Sequence, residues 1–105
     1  MEAYEINWTT RATKDLRKIY NFNIGVLGEE KAFELVLLLL EMVDMLSDKR
    51  LVKMGAVDEE FRHLKRGYKK LIEGDVKITY RISTTKPTVY INRVFDTRQD
   101  PRKNR

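Results

Sequence analysis

Basic side chains alternate with apolar ones in "VKITYRIS", the segment of residues 76–83. Side chains of a strand return to the same face at every second residue, so Lys77 and Arg81 are predicted on one face and the apolar residues on the other. Neighbouring predicted strands add Arg62 or Lys65, Lys69 or Lys70, and Arg93 to this region, and Arg98 follows the last strand. Converging lysines and arginines bind anions by charge and by paired hydrogen bonds. The alternative is a basic, solvated sheet face that favours solubility.

Residues that commonly carry other chemistries are scarce. The chain has no cysteine, and His63 is its one histidine, so it lacks the ligands of a zinc site and has no evident His-based triad. Acidic pairs occur at 29–30 and 59–60, but neighbours in sequence do not converge as an acid and base couple. No glycine-rich phosphate loop is present. We therefore predict no metal and no cofactor.

Charge is distributed unevenly along the chain. Residues 1–61 carry eight Lys/Arg against twelve Asp/Glu, a net of −4, whereas residues 62–105 carry thirteen against four, a net of +9. This asymmetry indicates an anionic partner for the C-terminal half, either nucleic acid, a machine bound to nucleic acid or an acidic protein. The 105 residues predict a single domain over 1–105, with 102–105 as a flexible basic tail. Without an export signal or a long apolar run, we expect a cytoplasmic protein that does not contact membranes.

The elements that must position these cations follow from periodicity. "YEINW" alternates like a strand, and a helix follows Thr9 and Thr10. "NIGVLGEE" predicts a turn, and a second helix runs from Glu29 to about Ser47. Four strands follow, "EFRHLK", "YKKLIE", "VKITYRIS" and "TVYINRVF". The prediction is an α+β fold: a strand, a two-helix hairpin, then a three- to four-stranded antiparallel sheet with the helices on one face.

The second predicted helix is more apolar than one buried face requires. Its core stripe runs from Ala32 to Leu46, while Phe33, Leu37 and Leu40 lie outside or beside that stripe. Most of the excess is explained by a central helix that the sheet and the first helix cover. Contiguous apolar surface that stays exposed usually marks an interface, so we predict that part of this surface binds a partner.

Three stretches of the sequence form a pattern in a fixed order: "YEINWTTRATKDLRKIYNF" at the start, "ITYRI" in the basic strand and "RVFDTRQDP" at the end. With these stretches the chain resembles the RelE/ParE superfamily of toxins. The resemblance implies a bacterial type II toxin that inhibits growth and forms a hetero-oligomer with a cognate antitoxin. Phe33, Leu37 and Leu40 would then contact an acidic or amphipathic antitoxin.

The superfamily divides by target, and the resemblance favours its ParE-like branch, whose members inhibit DNA gyrase, act in plasmid stabilisation and are not enzymes. Arg62, Lys70, Lys77, Arg81, Arg93 and Arg98 are the predicted target-binding residues. The alternative is a RelE-like endonuclease that cuts mRNA in the ribosome, with Lys77, Arg81 and Arg98 as catalytic residues. No tyrosine or histidine follows Tyr90 to move a proton, which weighs against cleavage. A non-toxic basic module that binds nucleic acid or protein is the second alternative.

Overall fold

A computed structural model of the protein describes residues 4–48, 56–57 and 68–99. The elements are, in chain order, β1 (Glu5–Trp8), α1 (Thr10–Leu27), α2 (Glu29–Met45), β2 (Ala56–Val57), β3 (Lys69–Glu73), β4 (Val76–Ser83) and β5 (Thr88–Asp96). This order confirms the predicted α+β fold. The predicted strand "EFRHLK", with His63, and the predicted tail 102–105 lie outside the described residues.

The strands form one sheet in the order β1-β5-β4-β3-β2. The pairings of β2 with β3, β3 with β4 and β4 with β5 are antiparallel. Strand β1 lies parallel to β5, with Trp8 opposite Ile91. Residues 56–57, for which no strand was predicted, pair with Lys69 and Lys70 as a short edge strand. Pairing of this kind needs only backbone groups, so it leaves little trace in the side-chain pattern.

The start of α1 is tied to the sheet through Thr9. The Thr9 hydroxyl accepts a hydrogen bond from the backbone N–H of Ala12 at 3.1 Å, as a helix N-cap does. The same hydroxyl donates to the carbonyl of Ile91 on β5 at 2.6 Å. One side chain therefore fixes both the beginning of the helix and its position against the sheet.

The first helix is longer than predicted. "NIGVLGEE" was expected to form the turn, but α1 continues to Leu27 and α2 begins at Glu29. The helix passes through Gly25, and the break occurs at Gly28, whose φ is 89°. That backbone conformation strains any residue with a Cβ atom, so glycine is the residue that permits so short a link.

Both helices pack on one face of the sheet. The core consists of Ala12 and Ile19 from α1, Leu39, Val43 and the following Leu46 from α2, and Val76, Ile78, Tyr80, Val89, Ile91 and Val94 from the sheet. Burial of each large aliphatic side chain here stabilises the fold by about 1.5–3 kcal/mol. Within the described ranges, neither helix combines the length and apolar content needed to cross a bilayer.

A β-bulge interrupts β5. Thr79 lies opposite Arg93, whereas the next residue, Tyr80, lies opposite Ile91, so Asn92 is an extra residue in β5. A bulge of one residue reverses which side chains face each side of the strand that follows. Val94 consequently joins the core, and Arg93 turns to the face opposite the helices, here called the outer face.

Replacing Thr9 with alanine removes the hydrogen bonds of its hydroxyl to Ala12, Ile91 and Asn92. We expect the free energy of unfolding to fall by about 1–2 kcal/mol, the usual cost of losing an N-cap. Urea denaturation measures this change. Thr13→Ala is the control, because the Thr13 hydroxyl makes an exposed hydrogen bond to the Thr9 carbonyl. Equal losses in the two variants would contradict the role assigned to Thr9.

Candidate target-binding surface

Strand β5 is longer than its neighbour β1, and this leaves an open edge along Asn92–Asp96. Its pairing with β1 ends where Trp8 meets Ile91. Beyond that point the backbone N–H of Val94 donates to Oδ2 of Asp15 on α1 at 3.1 Å. The Asp15 carboxylate thus takes the place of a neighbouring strand, as a buried backbone donor requires.

Asp15 also holds Arg93. The Nε and Nη2 groups of Arg93 donate to the two carboxylate oxygens of Asp15 at 2.7 and 3.3 Å. This is the forked geometry that a guanidinium and a carboxylate favour. The Arg93 side chain is 24% exposed and that of Asp15 is 9% exposed, so the pair is only partly open to solvent.

Two turns further along α1, Asn23 meets the end of β5. Asn23 is fully buried, and its Nδ2 donates to Oδ2 of Asp96 at 3.1 Å and to the carbonyl of Ile19 at 2.8 Å. Its Oδ1 accepts from Nη2 of Arg98 at 2.6 Å. Asn23, Asp96 and Arg98 form one connected network, here called the C-terminal clamp.

Arg98 closes the clamp from the other side. Its Nε and Nη2 donate to the two oxygens of Asp96 at 3.0 and 2.7 Å, and its backbone N–H donates to Oδ1 at 3.0 Å. Asp75 adds a second carboxylate, 3.4 Å from Nε. The charge of Arg98 is therefore compensated by two acidic groups.

The clamp shifts the pKa values of Asp96 and Arg98. Burial of the Asp96 carboxyl by itself raises its pKa, but hydrogen bonds from Arg98 and Asn23 and the charge of Arg98 outweigh burial. The pKa of Asp96 is consequently lowered from its ordinary value of 3.8. Hydrogen bonding to Asp96 raises the pKa of Arg98. Both groups stay charged at neutral pH.

Four of the predicted target-binding residues share the outer face of the sheet. Residues paired across neighbouring strands lie on the same face of a sheet. Thr79 on β4 is paired with Lys70 on β3 and with Arg93 on β5, so Lys70 and Arg93 share one face. Lys77 and Arg81 occupy alternate positions on β4 and belong to the same face. The structure therefore brings Lys70, Lys77, Arg81 and Arg93 together, while Arg62 lies outside the described residues.

Aromatic rings lie beneath these cations. The Arg81 guanidinium is 4.5 Å from the ring centroid of Tyr90, and that of Arg93 is 4.5 Å from the centroid of Phe95. Nζ of Lys77 is 5.6 Å from the same Phe95 ring. Such stacking stabilises a cation by about 0.5–1 kcal/mol when exposed and more when desolvated.

Two details of the predicted surface were wrong. Lys77 was expected to project from an uncovered face, but it is only 6% exposed, because its side chain lies against the buried ring of its cross-strand partner Phe95. Arg98 was expected to extend the same basic surface, but the clamp draws it against Asn23 and Phe22 on α1. Lys77 and Arg81 therefore lie together, and Arg98 lies apart from them.

The predicted partner-binding residues are exposed on α2. Phe33 is 53% exposed, Leu37 43% and Leu40 39%. They border three grooves, one of which, of about 560 Å³, lies between Phe33, Tyr20, Glu29 and Glu30. The other two flank the exposed face of α2. One, of about 420 Å³, is lined by Ile6, Trp8, Leu37, Leu40, Glu41, Val43 and Asp44. The other, of about 400 Å³ and almost wholly apolar, is lined by Thr13, Leu16, Arg17, Tyr20, Phe33 and Val36. Exposed apolar side chains that lie next to one another usually mark an interface.

Sequence reasoning missed the polar residues that α1 contributes to the site. Asp15, Ile19 and Asn23 recur at intervals of four residues and lie on the same side of the helix. Ile19 belongs to the core, so the two polar residues in phase with it indicate buried groups that need partners. The pattern points to Asp15 and Asn23, but it does not show which residues of β5 they meet.

Comparisons with known proteins agree with this architecture. Residues 6–101 match the model of the family described as the ParE toxin of the type II toxin–antitoxin system parDE. A search of curated proteins found no match.

Solved structures of toxin–antitoxin systems share the fold. The chromosomal ParDE system from P. aeruginosa is similar with a TM-score of 0.71 and 24% identity, over 90% of this chain and 96% of that one. The RelBE2 toxin–antitoxin complex from Mycobacterium tuberculosis gives a TM-score of 0.66 and 26% identity, over 91% and 93%. A mutant of the E. coli toxin RelE in the free state gives 0.55 and 15%, over 97% and 92%.

The lowered pKa of Asp96 predicts an acid-dependent loss of stability. A group whose pKa is depressed by folding stabilises the folded state above its unfolded pKa, and this contribution disappears as the pH falls through its folded pKa. We expect Asp96→Asn to lower the free energy of unfolding by about 2 kcal/mol at pH 7, with a smaller difference from the wild type below pH ~4. Urea denaturation across this range measures both. The exposed Glu41→Gln is the control, and a pH-independent difference for Asp96→Asn would contradict the assignment.

Proposed function

Because this chain belongs to the ParE toxin family of type II toxin–antitoxin systems, we propose that it arrests bacterial growth in the cytoplasm by inhibiting DNA gyrase. The observation that carries the choice of target is the placement of Arg98. The clamp holds its guanidinium against Asn23 of α1, whereas Lys77 and Arg81 lie on the outer face of the sheet, and this arrangement argues against the shared catalytic centre that a nuclease would need. Binding to a protein target needs no such centre. On this proposal the protein is an inhibitor and not an enzyme.

The RelE-like alternative has one observation in its favour. Tyr90 lies beneath Arg81 on the outer face, so a phenol and a cation are adjacent there. Cleavage of RNA through its 2′-hydroxyl needs a group that accepts a proton, a group that donates one and a cation that stabilises the charged intermediate. Tyr90 and Arg81 supply two of these at most, and Lys77 is largely buried. Cuts at defined codons in translated mRNA would support this alternative.

We also propose that the exposed face of α2 binds the antitoxin. The similar ParDE structure is described as a toxin–antitoxin system, and the similar RelBE2 structure as a toxin–antitoxin complex. The groove beside β1 is apolar at Leu37 and Leu40, with the acidic Glu41 and Asp44 on the same helix. An amphipathic segment that places apolar residues in this groove and basic residues beside these acids would complement it in shape and charge.

A supercoiling assay tests the proposed target. Wild-type protein in stoichiometric excess over gyrase is expected to block supercoiling. Arg81→Gln, on the outer face, should raise the concentration for half inhibition about tenfold, the effect of losing one charged contact. Lys31→Gln, an exposed cation on α2, is the matched control and should leave inhibition unchanged. Unaffected supercoiling with the wild-type protein would refute gyrase as the target.

Substitutions on α2 test the antitoxin surface. Leu37→Asp places a charge in the apolar groove, and we expect it to weaken binding of the cognate antitoxin about thirtyfold, a loss of about 2 kcal/mol. Isothermal titration calorimetry measures this affinity. Leu38→Asp is the control, because Leu38 is similarly exposed at 39% on another side of the same helix. Equal losses from both substitutions would place the antitoxin elsewhere or across the whole helix.

A further inference from the structure

Most N–H groups of the Arg98 guanidinium are hydrogen-bonded within the protein, although the side chain is partly exposed. A guanidinium has five N–H groups in one plane. The N–H of Nε and both N–H groups of Nη2 are engaged, two with Asp96 and one with Asn23. Among the described residues, Nη1 takes part in no hydrogen bond. The Arg98 side chain as a whole is 33% exposed.

The groups that hold Arg98 are themselves fixed. The Asp96 side chain is fully buried, and Asn23 is fully buried on α1. The Nδ2 group of Asn23 donates one hydrogen bond to Asp96 and one to the Ile19 carbonyl, so the Asn23 side-chain oxygen faces the guanidinium. The alternative orientation of the amide would point donors at Arg98, so chemistry selects the observed one. The orientation of Arg98 therefore depends on buried groups.

The charge around Arg98 indicates what its free edge accepts. Asp96 lies at 2.7 Å and Asp75 at 3.4 Å, so two carboxylates surround one guanidinium. A phosphate approaching Nη1 would meet this negative surplus. A carbonyl or amide oxygen of a protein would meet two directed donors and no opposing charge. A neutral acceptor on a protein partner is therefore the better match.

We propose that Asn23 and Asp96 are positioning residues, which hold Arg98 so that Nη1 donates to a neutral oxygen acceptor on the protein target. The inference rests on the proposed function, because it assumes a target that Arg98 contacts. A long side chain normally loses rotamer freedom when it binds. Here the clamp removes that freedom before binding, which favours association.

A double-mutant cycle on Asn23 and Arg98 tests this role. Asn23→Leu keeps a similar volume but removes the amide, and Arg98→Ala removes the guanidinium. Each is expected to raise the concentration for half inhibition of gyrase about tenfold, and the double variant should be within about twofold of Arg98→Ala alone. The loss on Arg98→Ala should be the same at low and moderate salt, because a neutral acceptor releases no counterions.

Antitoxin affinity and a core variant separate positioning from general damage. All three variants should bind the antitoxin with unchanged affinity, since the proposed antitoxin surface lies on α2. Val89→Ala truncates a fully buried core residue at the other end of β5 and serves as the destabilised control. It should lower the urea midpoint and leave inhibition unchanged.

The possible results distinguish the inference from the function on which it rests. If Asn23→Leu weakens inhibition equally with and without Arg98, Asn23 does not act through Arg98 and the inference is overturned. A loss that is larger at low salt and shrinks at moderate salt would assign a phosphate to the free edge and overturn the choice of acceptor. If the wild-type protein leaves gyrase active, the proposed function fails, and the same cycle is measured on growth arrest in cells. Growth arrest that is independent of Asn23 and Arg98 would overturn the inference there as well.

Discussion

The structure depends on how the open edge of β5 is completed. Strand β1 pairs only as far as Ile91, and the remaining residues of β5 would otherwise present unpaired backbone groups beside a hydrophobic core. A buried donor left without a partner costs about 1–3 kcal/mol. Asp15 meets this requirement at Val94, and Asn23 fixes the end of the strand at Asp96. Helix α1 is therefore part of the sheet's hydrogen bonding as well as a cover for its core.

This arrangement couples the bulge at Asn92 to the placement of charge. Without the bulge, Arg93 would continue the face of Val89 and Ile91 and point its charge into the core. With it, Arg93 turns to the outer face while its guanidinium still reaches Asp15 at the open edge. The two carboxylates of α1 and β5, Asp15 and Asp96, then each compensate one arginine. Asp15 comes from the acidic half of the sequence, so its pairing with Arg93 compensates one of the nine net positive charges of residues 62–105.

Periodicity was sufficient to predict the two helices, the strands β1, β3, β4 and β5 and the packing of the helices on one face of the sheet, because each element buries a face that repeats every two or every three to four residues. It was not sufficient for the side-chain orientation in β5. Strict alternation in "TVYINRVF" assigns Arg93 to the wrong face, since a bulge is specified by edge contacts distant in sequence. The burial of Lys77 was likewise hidden, because it depends on Phe95 in another strand. The sequence shows that Asp15 and Asn23 lie four residues before and after Ile19. It does not show that their partners are residues of β5, which only the placement of the strands reveals.

The two proposed binding surfaces lie on different layers of the molecule. The exposed apolar residues belong to α2, whereas the stacked cations belong to the outer face of the sheet, on the other side of the core. An antitoxin segment seated on α2 alone would leave the outer face open. To keep the target from the outer face, the antitoxin would then have to continue around an edge of the sheet or exclude the target by its size. The edge formed by β1 is the nearer route, because Ile6 and Trp8 of that strand line the same groove as Leu37 and Leu40.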